Sequence, residues 1–230
     1  MNPGARPSWP QDESDAGRIP ALPEEDGTLR TTNSHSKEPK GWHSRGYMPH
    51  FDAGEIPQAI TFRLAGSLPK ERLDAWREEL SILPADKADI ERRRRIEAYL
   101  DAGHGEVWLA EPRIAAIVED AILYFDGERY YLHAWVIMPN HVHVLTTPRQ
   151  EYRLSDIIHS WKSFTANKAN RVLGRSGSFW QLEYFDRYIR NDRHFKTIVE
   201  YIEHNPVKAD LCSKMEEWSY SSASRRGHAS

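Results

Sequence analysis

Residues 130–147 read YYLHAWVIMPNHVHVLTT, from Tyr130 to Thr147, and this stretch sets the fold. β-branched and aromatic residues fill both sides of Pro139-Asn140, which predicts two strands, and the Pro-Asn pair has the chemistry of a turn. An antiparallel hairpin follows. Just upstream, Ile114, Ile117, Val118, Ala121 and Ile122 recur at helical spacing over residues 112–125, and Asp126-Gly127 closes that helix. Earlier still, Ala59-Ile60-Thr61-Phe62-Arg63-Leu64 has strand character, and residues 68–100 read as helical with a break at Pro84. Downstream of the hairpin, Ile157, Ile158, Trp161, Phe164 and Thr165 mark an amphipathic helix over residues 154–173, with Gly174 as its C-terminal cap. Residues 179–189 are aromatic and partly alternating, which predicts a further strand. A last helix is expected from Asp192 through Phe195, Ile198, Val199 and Ile202, stopping before Pro206. This order predicts an α+β fold, a ferredoxin-like antiparallel sheet with helices on one face.

The chain of 230 residues has room for one substantial domain with appendages. Residues 1–41 are rich in Pro, Gly, Ser, Asp and Glu and are expected to form a disordered tail; residues 42–224 form the domain and residues 225–230 a flexible end. The only cysteine, Cys212, excludes an intramolecular disulfide and any cysteine-rich zinc module. No stretch approaches the roughly 20 apolar residues of a membrane span, so a cytoplasmic protein without a membrane partner is expected. The formal charge of −3 conceals a local excess of base. From Arg153 to Lys196 nine basic residues face four acidic ones, interleaved with Trp161, Phe164, Phe179, Trp180, Tyr184 and Phe185. Single-stranded nucleic acid needs this combination of countercharge and flat stacking partners, although a solvated helix face beside core aromatics has the same composition. The run Arg92-Arg93-Arg94-Arg95 points around most of a helix, and both a solvated surface and a DNA contact remain open for it.

His141 and His143 lie two apart on a predicted strand and project to one face, with Cβ atoms about 7 Å apart. Their imidazoles can converge on one divalent ion, though a lone His-x-His pair on a strand is more often structural or incidental. Tyr201 and Asn205, four apart on the last helix, share a face. If that helix packs on the histidine strand, Asn205 can add a third metal ligand while Tyr201 aims its hydroxyl at a phosphate on the same ion. Packing and capping of the helix end by the same two residues is the alternative. With the first arrangement, a phenolate attacks phosphorus in line and a deoxyribose 3′-oxygen departs. Ionising the phenol, with an ordinary pKa of about 10, calls for a nearby cation, and Lys208 is the candidate. Tyr152, Tyr184 and Tyr188 are rival nucleophiles in aromatic-rich surroundings, and Asp192, four after Tyr188, fits a helix N-cap better than a ligand.

Three stretches together resemble a known family. They are Trp135-Val136-Ile137-Met138-Pro139-Asn140-His141-Val142-His143-Val144-Leu145, the segment from Phe179-Trp180-Gln181 through Arg187-Tyr188-Ile189-Arg190, and Tyr201-Ile202-Glu203-His204-Asn205-Pro206-Val207-Lys208. In this order they look like the REP-associated tyrosine transposases, single-tyrosine HUH enzymes related to small insertion-sequence transposases. The resemblance covers roughly residues 42–223. It implies a ferredoxin-like HUH domain with His141 and His143 as the metal pair, Tyr201 as nucleophile, Asn205 as third ligand, and Mg2+ or Mn2+ as cofactor. It further implies single-stranded or hairpin DNA as partner, a 5′-phosphotyrosine intermediate and rejoining without ATP. Asn205 departs from the Gln usual at this position in insertion-sequence members and has a shorter reach. Two other classes stay in view: a domesticated, non-catalytic protein that binds palindromic repeats, and a histidine-triad hydrolase, whose third histidine is here Leu145. Relatives include monomers and dimers, so the oligomeric state is left open.

Overall fold

A computed structural model of the chain describes residues 41–44, 49–52 and 54–227. The tail expected over residues 1–41 lies outside the described residues except for Gly41, as do residues 228–230. β1 (Gly41–Ser44) and β2 (Pro49–Asp52) pair as an antiparallel ribbon. β3 (Gln58–Arg63), β4 (Tyr130–Ile137), β5 (His141–Pro148) and β6 (Phe185–Tyr188) form a four-stranded antiparallel sheet in the order β4-β5-β3-β6. With its helices, this sheet is the α+β architecture expected, but the helices cover both of its faces and not one as expected, because β5 buries apolar residues of both parities. The hairpin β4–β5 closes through Met138 N–H donating to the His141 carbonyl at 2.9 Å, and Val136 sits opposite His143.

Alternation along β5 divides the molecule into two faces. Val142 and Val144 point to the larger core, with Ile60, Phe62, Trp135 and Ile137, and this face is covered by α3 (Pro112–Leu123) and α4 (Leu154–Leu173). Tyr130 is fully buried there, which is tolerable because its hydroxyl donates to the Ile122 carbonyl at 2.6 Å and accepts from Trp161 Nε1 at 3.0 Å. Leu145, Val136 and Ala134 point the other way and pack with Ile189 and Ile202, so α5 (Asp192–Lys208) lies across the opposite face. His141 and His143 share the parity of Leu145 and therefore face α5. α1 (Lys70–Leu80) and α2 (Ala85–Asp101) flank the break expected at Pro84, and a third cluster of Leu68, Ile96 and Leu100 anchors them.

Four local expectations are corrected. The strand expected over residues 179–189 shrinks to Phe185–Tyr188, because Phe179 and Trp180 turn into the larger core and leave only a bridge from Trp180 to Leu64. α5 does not stop before Pro206 but continues to Lys208. A proline inside a helix costs about 3 kcal/mol relative to alanine; here Ile202, Glu203, Asn205 and Pro206 are all buried, and that packing holds the helix through the missing donor. The N-cap of α5 is Asn191, whose Oδ1 accepts from His194 N–H at 2.9 Å, and Asp192 occupies the first turn instead. Residues 225–227, expected in a flexible end, complete α6 (Ser222–Gly227).

Candidate metal and nucleophile site

The two imidazoles meet: His141 Nε2 lies 2.9 Å from His143 Nε2, with both side chains buried. Each ring is held from behind. Asn140 Oδ1 stands 2.6 Å from His141 Nδ1, and the Asn140 amide nitrogen donates to the carbonyls of Leu100 and His104, each at 3.0 Å. Those two donations fix which end of the amide faces His141, so Nδ1 carries the proton and Nε2 presents its lone pair. Thr61 Oγ1, directly across β3, lies 2.7 Å from His143 Nδ1 and can accept its proton in the same way. With that tautomer two lone pairs face each other at 2.9 Å, an arrangement that a shared cation stabilises; with the other tautomer of His143 the same contact is an N–H···N hydrogen bond.

Asp101, the last residue of α2, completes the cluster. Its Oδ1 lies 3.6 Å from His141 Nε2 and its Oδ2 pairs with Lys208 Nζ at 3.0 Å. One ligand atom from each of Asp101, His141 and His143 lies within 4.8 Å of the others. From α5, the Tyr201 ring stands 5.4 Å from His143 between centroids, at an interplanar angle of 74°. Asn205 is buried one turn farther along. Among the described residues, Asp101 Oδ1, Tyr201 Oη and both amide atoms of Asn205 are buried without a partner in hydrogen-bond geometry. Asn205 is nonetheless near enough to favour the ionised forms of Asp101 and Tyr201. Leaving such groups unpaired costs about 1–3 kcal/mol each, and their clustering beside two facing imidazoles gives the O and N donor set that divalent ions take.

Electrostatics follow from the burial. Burial, then the neighbouring His143, pushes His141 well below the ordinary histidine range; burial, then Lys208, pushes His143 down to about 3. Both stay neutral, as metal ligation requires. Burial raises the Asp101 and Glu97 carboxyls, for Asp101 against the opposing pull of Lys208. Burial, reinforced by Glu97 and Asp101, raises the Tyr201 phenol above its usual value. A positive charge among these groups would reverse the last two effects.

The structure thus brings together His141, His143 and Tyr201, with Asn205 on the same buried helix face. Lys208 reaches the site by ion-pairing Asp101, with its ammonium 5.5 Å from the Tyr201 ring centre. Sequence reasoning missed Asp101 and Asn140. Nothing in the spacing ties Asp101 to residues forty positions on, although a carboxylate closing a helix just before Gly103-His104-Gly105 is a usable signal. Tyr188 lies opposite Gln58 on β6, on the sheet face away from the histidines, and Tyr152 and Tyr184 pack against the larger core.

Residues 111–205 match the family model for IS200-like transposases. Over these residues the chain is similar to that family. The IS200-like segment contains His141, His143, Tyr201 and Asn205, whereas Asp101 precedes it. The chain is 27% identical over 111 residues to the REP-associated tyrosine transposase of Escherichia coli (strain K12), covering 47% of this chain and 64% of the relative. It is 29% identical over 99 residues to a putative REP-associated tyrosine transposase of Haemophilus influenzae, covering 39% and 56%. The matches therefore span less than two thirds of either relative. A solved structure of a REP-associated tyrosine transposase bound to a REP hairpin is similar at 18% identity and a TM-score of 0.47, covering 80% of this chain and 82% of that one.

Proposed function

We propose that this protein is a divalent-metal-dependent DNA transposase that cleaves and rejoins single-stranded or hairpin DNA through Tyr201. The observation that carries this reading is the facing pair of imidazole nitrogens, 2.9 Å apart, with an Asp101 oxygen beside them and the Tyr201 ring against His143. His141, His143 and Asp101 would hold the ion, with Asn205 as a further oxygen donor. Mg2+ or Mn2+ bound there would neutralise charge on the scissile phosphate and favour the phenolate. Asn140 and Thr61 keep the two imidazole nitrogens turned inward. Lys208 places a positive charge near the Tyr201 ring and restrains Asp101. The Tyr201 phenol gives up its proton to solvent, its oxygen forms a bond to phosphorus as the bond from phosphorus to the 3′-oxygen breaks, and the departing 3′-oxygen takes up a proton from solvent to become a hydroxyl. A 5′-phosphotyrosine results. Because one phosphodiester replaces another, attack by a 3′-hydroxyl reverses the step without ATP.

The test is a denaturing gel of labelled single-stranded and hairpin DNA incubated with Mn2+ or Mg2+, with and without chelator. The wild type forms a covalent adduct that chelator abolishes, and Tyr201→Phe forms none while still binding DNA. An unchanged adduct in Tyr201→Phe would remove this residue from the role. Binding by the wild type without any nicking would favour the non-catalytic repeat-binding protein.

A further inference from the structure

Beside the candidate metal site a basic cavity opens. It has a volume of about 380 Å³, within the range of small-ligand pockets. Its floor is Arg63, almost fully buried at the end of β3 and directly opposite His141 in the strand register, so it shares a sheet face with the histidines. Lys70 from α1 and Arg92 from α2 form basic walls, and Leu68 and Leu73 supply an apolar one. Gln181 completes the lining, and its place is built rather than incidental: its backbone N–H donates to the Arg63 carbonyl at 2.9 Å, while Lys162 Nζ from α4 holds the carbonyls of Gln181 and Leu182 at 2.6 and 2.7 Å. Arg92 is steadied by Asp89 at 2.7 Å and Arg63 by Ser67 at 3.3 Å. Arg77 at the rim is offset by Asp74, 3.3 Å away. Arg63, Lys70 and Arg92 give the lining its basic character, with Arg92 in an ion pair to Asp89.

We infer that this cavity binds an unpaired nucleotide of the DNA strand, its phosphate on Arg63, Arg92 and Lys70, its base against Leu68 and Leu73 with the Gln181 amide at the base edge. The inference rests on the transposase reading and adds a substrate subsite to it. Cations in a pocket with one apolar wall and one amide match the three parts of a nucleotide: anion, flat ring and hydrogen-bonding edge. Position supports the same assignment. Arg63 neighbours His141 across the sheet, and Arg92 lies on the helix that ends in Asp101, nine residues or about 13 Å upstream. A strand whose scissile phosphate sits at the histidines can thus place a nearby nucleotide in the cavity. Of the four consecutive arginines, Arg92 lines it; Arg94 and Arg95 pair outside with Glu91, and Arg95 also with Glu79.

The experiment uses the full chain carrying Tyr201→Phe, in chelator, so that binding is read without chemistry. Fluorescence anisotropy with a labelled single-stranded 12-mer DNA of mixed sequence gives Kd and its salt dependence. Arg92→Ala and Lys70→Ala are each expected to weaken binding about tenfold and to flatten the log Kd against log salt slope by about 0.7, the value of one lost phosphate contact. Arg94→Ala, an equal loss of charge on the same helix outside the cavity, is the control and leaves both unchanged. Lys70 is exposed, so that variant decides the matter if Arg92→Ala does not fold. Wild-type affinity in Lys70→Ala, or the same loss in Arg94→Ala, overturns the subsite. Cleavage plays no part in this readout, so the transposase reading stands or falls separately on the Tyr201 adduct.

Discussion

Asn140 shows how one buried side chain can set the chemistry of a site it does not line as a ligand. Its amide spends both protons on the Leu100 and His104 carbonyls, which leaves its oxygen for His141 and ties the end of α2, with Asp101, to β5. Asn140→Ala removes three hydrogen bonds, two of them buried, and is expected to destabilise the protein by about 2 kcal/mol or more. The freed imidazole should also weaken Mn2+ binding tenfold to a hundredfold, read by calorimetric titration alongside thermal unfolding. Unaltered Mn2+ affinity would show that His141 is oriented by other means. The histidines also set a pH dependence. His143 ionises near 6.5 when unfolded but only near 3 when folded, so between these values the unfolded chain binds more protons and stability falls as pH is lowered. The raised carboxyls of Asp101 and Glu97 act with the opposite sign, gaining stability as pH falls through their folded pKa values. Comparison with His143→Gln isolates the histidine: in chelator, thermal stability should decline more steeply from pH 6.5 downward in the wild type than in the variant. Parallel profiles would contradict a neutral, buried His143.

At the scale of elements, the site depends on where helix ends are pinned. The linker after α2 crosses the turn after β3 at Gly105, whose φ of +79° and close approach exclude a side chain: a Cβ there would lie 2.6 Å from the Ser67 carbonyl oxygen and 2.7 Å from that of Gly66. Gly105→Ala is expected to cost about 2–4 kcal/mol and to lower the melting temperature by on the order of 5–10 °C. It should also weaken Mn2+ binding, because Asp101 is carried by the same segment. Differential scanning calorimetry with and without Mn2+ checks both. The helices and the hairpin were legible because periodicity, Gly174 and Pro84 are local signals. The end of α5 was not: Pro206 announces a stop, but burial of Ile202, Glu203 and Asn205 against the sheet overrides it. The same override shortened the strand expected over residues 179–189, where aromatic residues that suit a sheet, Phe179 and Trp180, serve the core instead.

Across the whole molecule, the C-terminal segment clamps the two halves of the site. Trp218 Nε1 donates to the Ile137 carbonyl at 2.9 Å, Ile137 N–H donates to the Tyr220 carbonyl at 3.0 Å, and Ser221 bridges Val136, so this segment covers the outer edge of β4. Ser222 Oγ reaches Glu203 on α5 at 2.6 Å, and Arg226 ion-pairs the same carboxylate. Removing residues 218–230 would uncover a strand edge and leave the buried Glu203 carboxylate on α5 without its partners. The expected outcome is aggregation, seen by light scattering after size exclusion, with a loss of about 3–5 kcal/mol for the uncompensated charge. A truncated chain that stays monodisperse and binds Mn2+ with full affinity would show that the clamp is dispensable.

The sequence by itself determined the antiparallel hairpin, its two inward histidines and the helical spacing of Tyr201 and Asn205, because each depends on a repeat of two or 3.6 residues that short stretches display. Tertiary structure alone decided that α5 crosses the face opposite α3 and α4, that Asp101 closes on His141 from forty residues away, and that Asn140 locks the imidazole. Those relations arise from which apolar faces bury against each other, and contacts between distant segments leave no periodic trace in one chain.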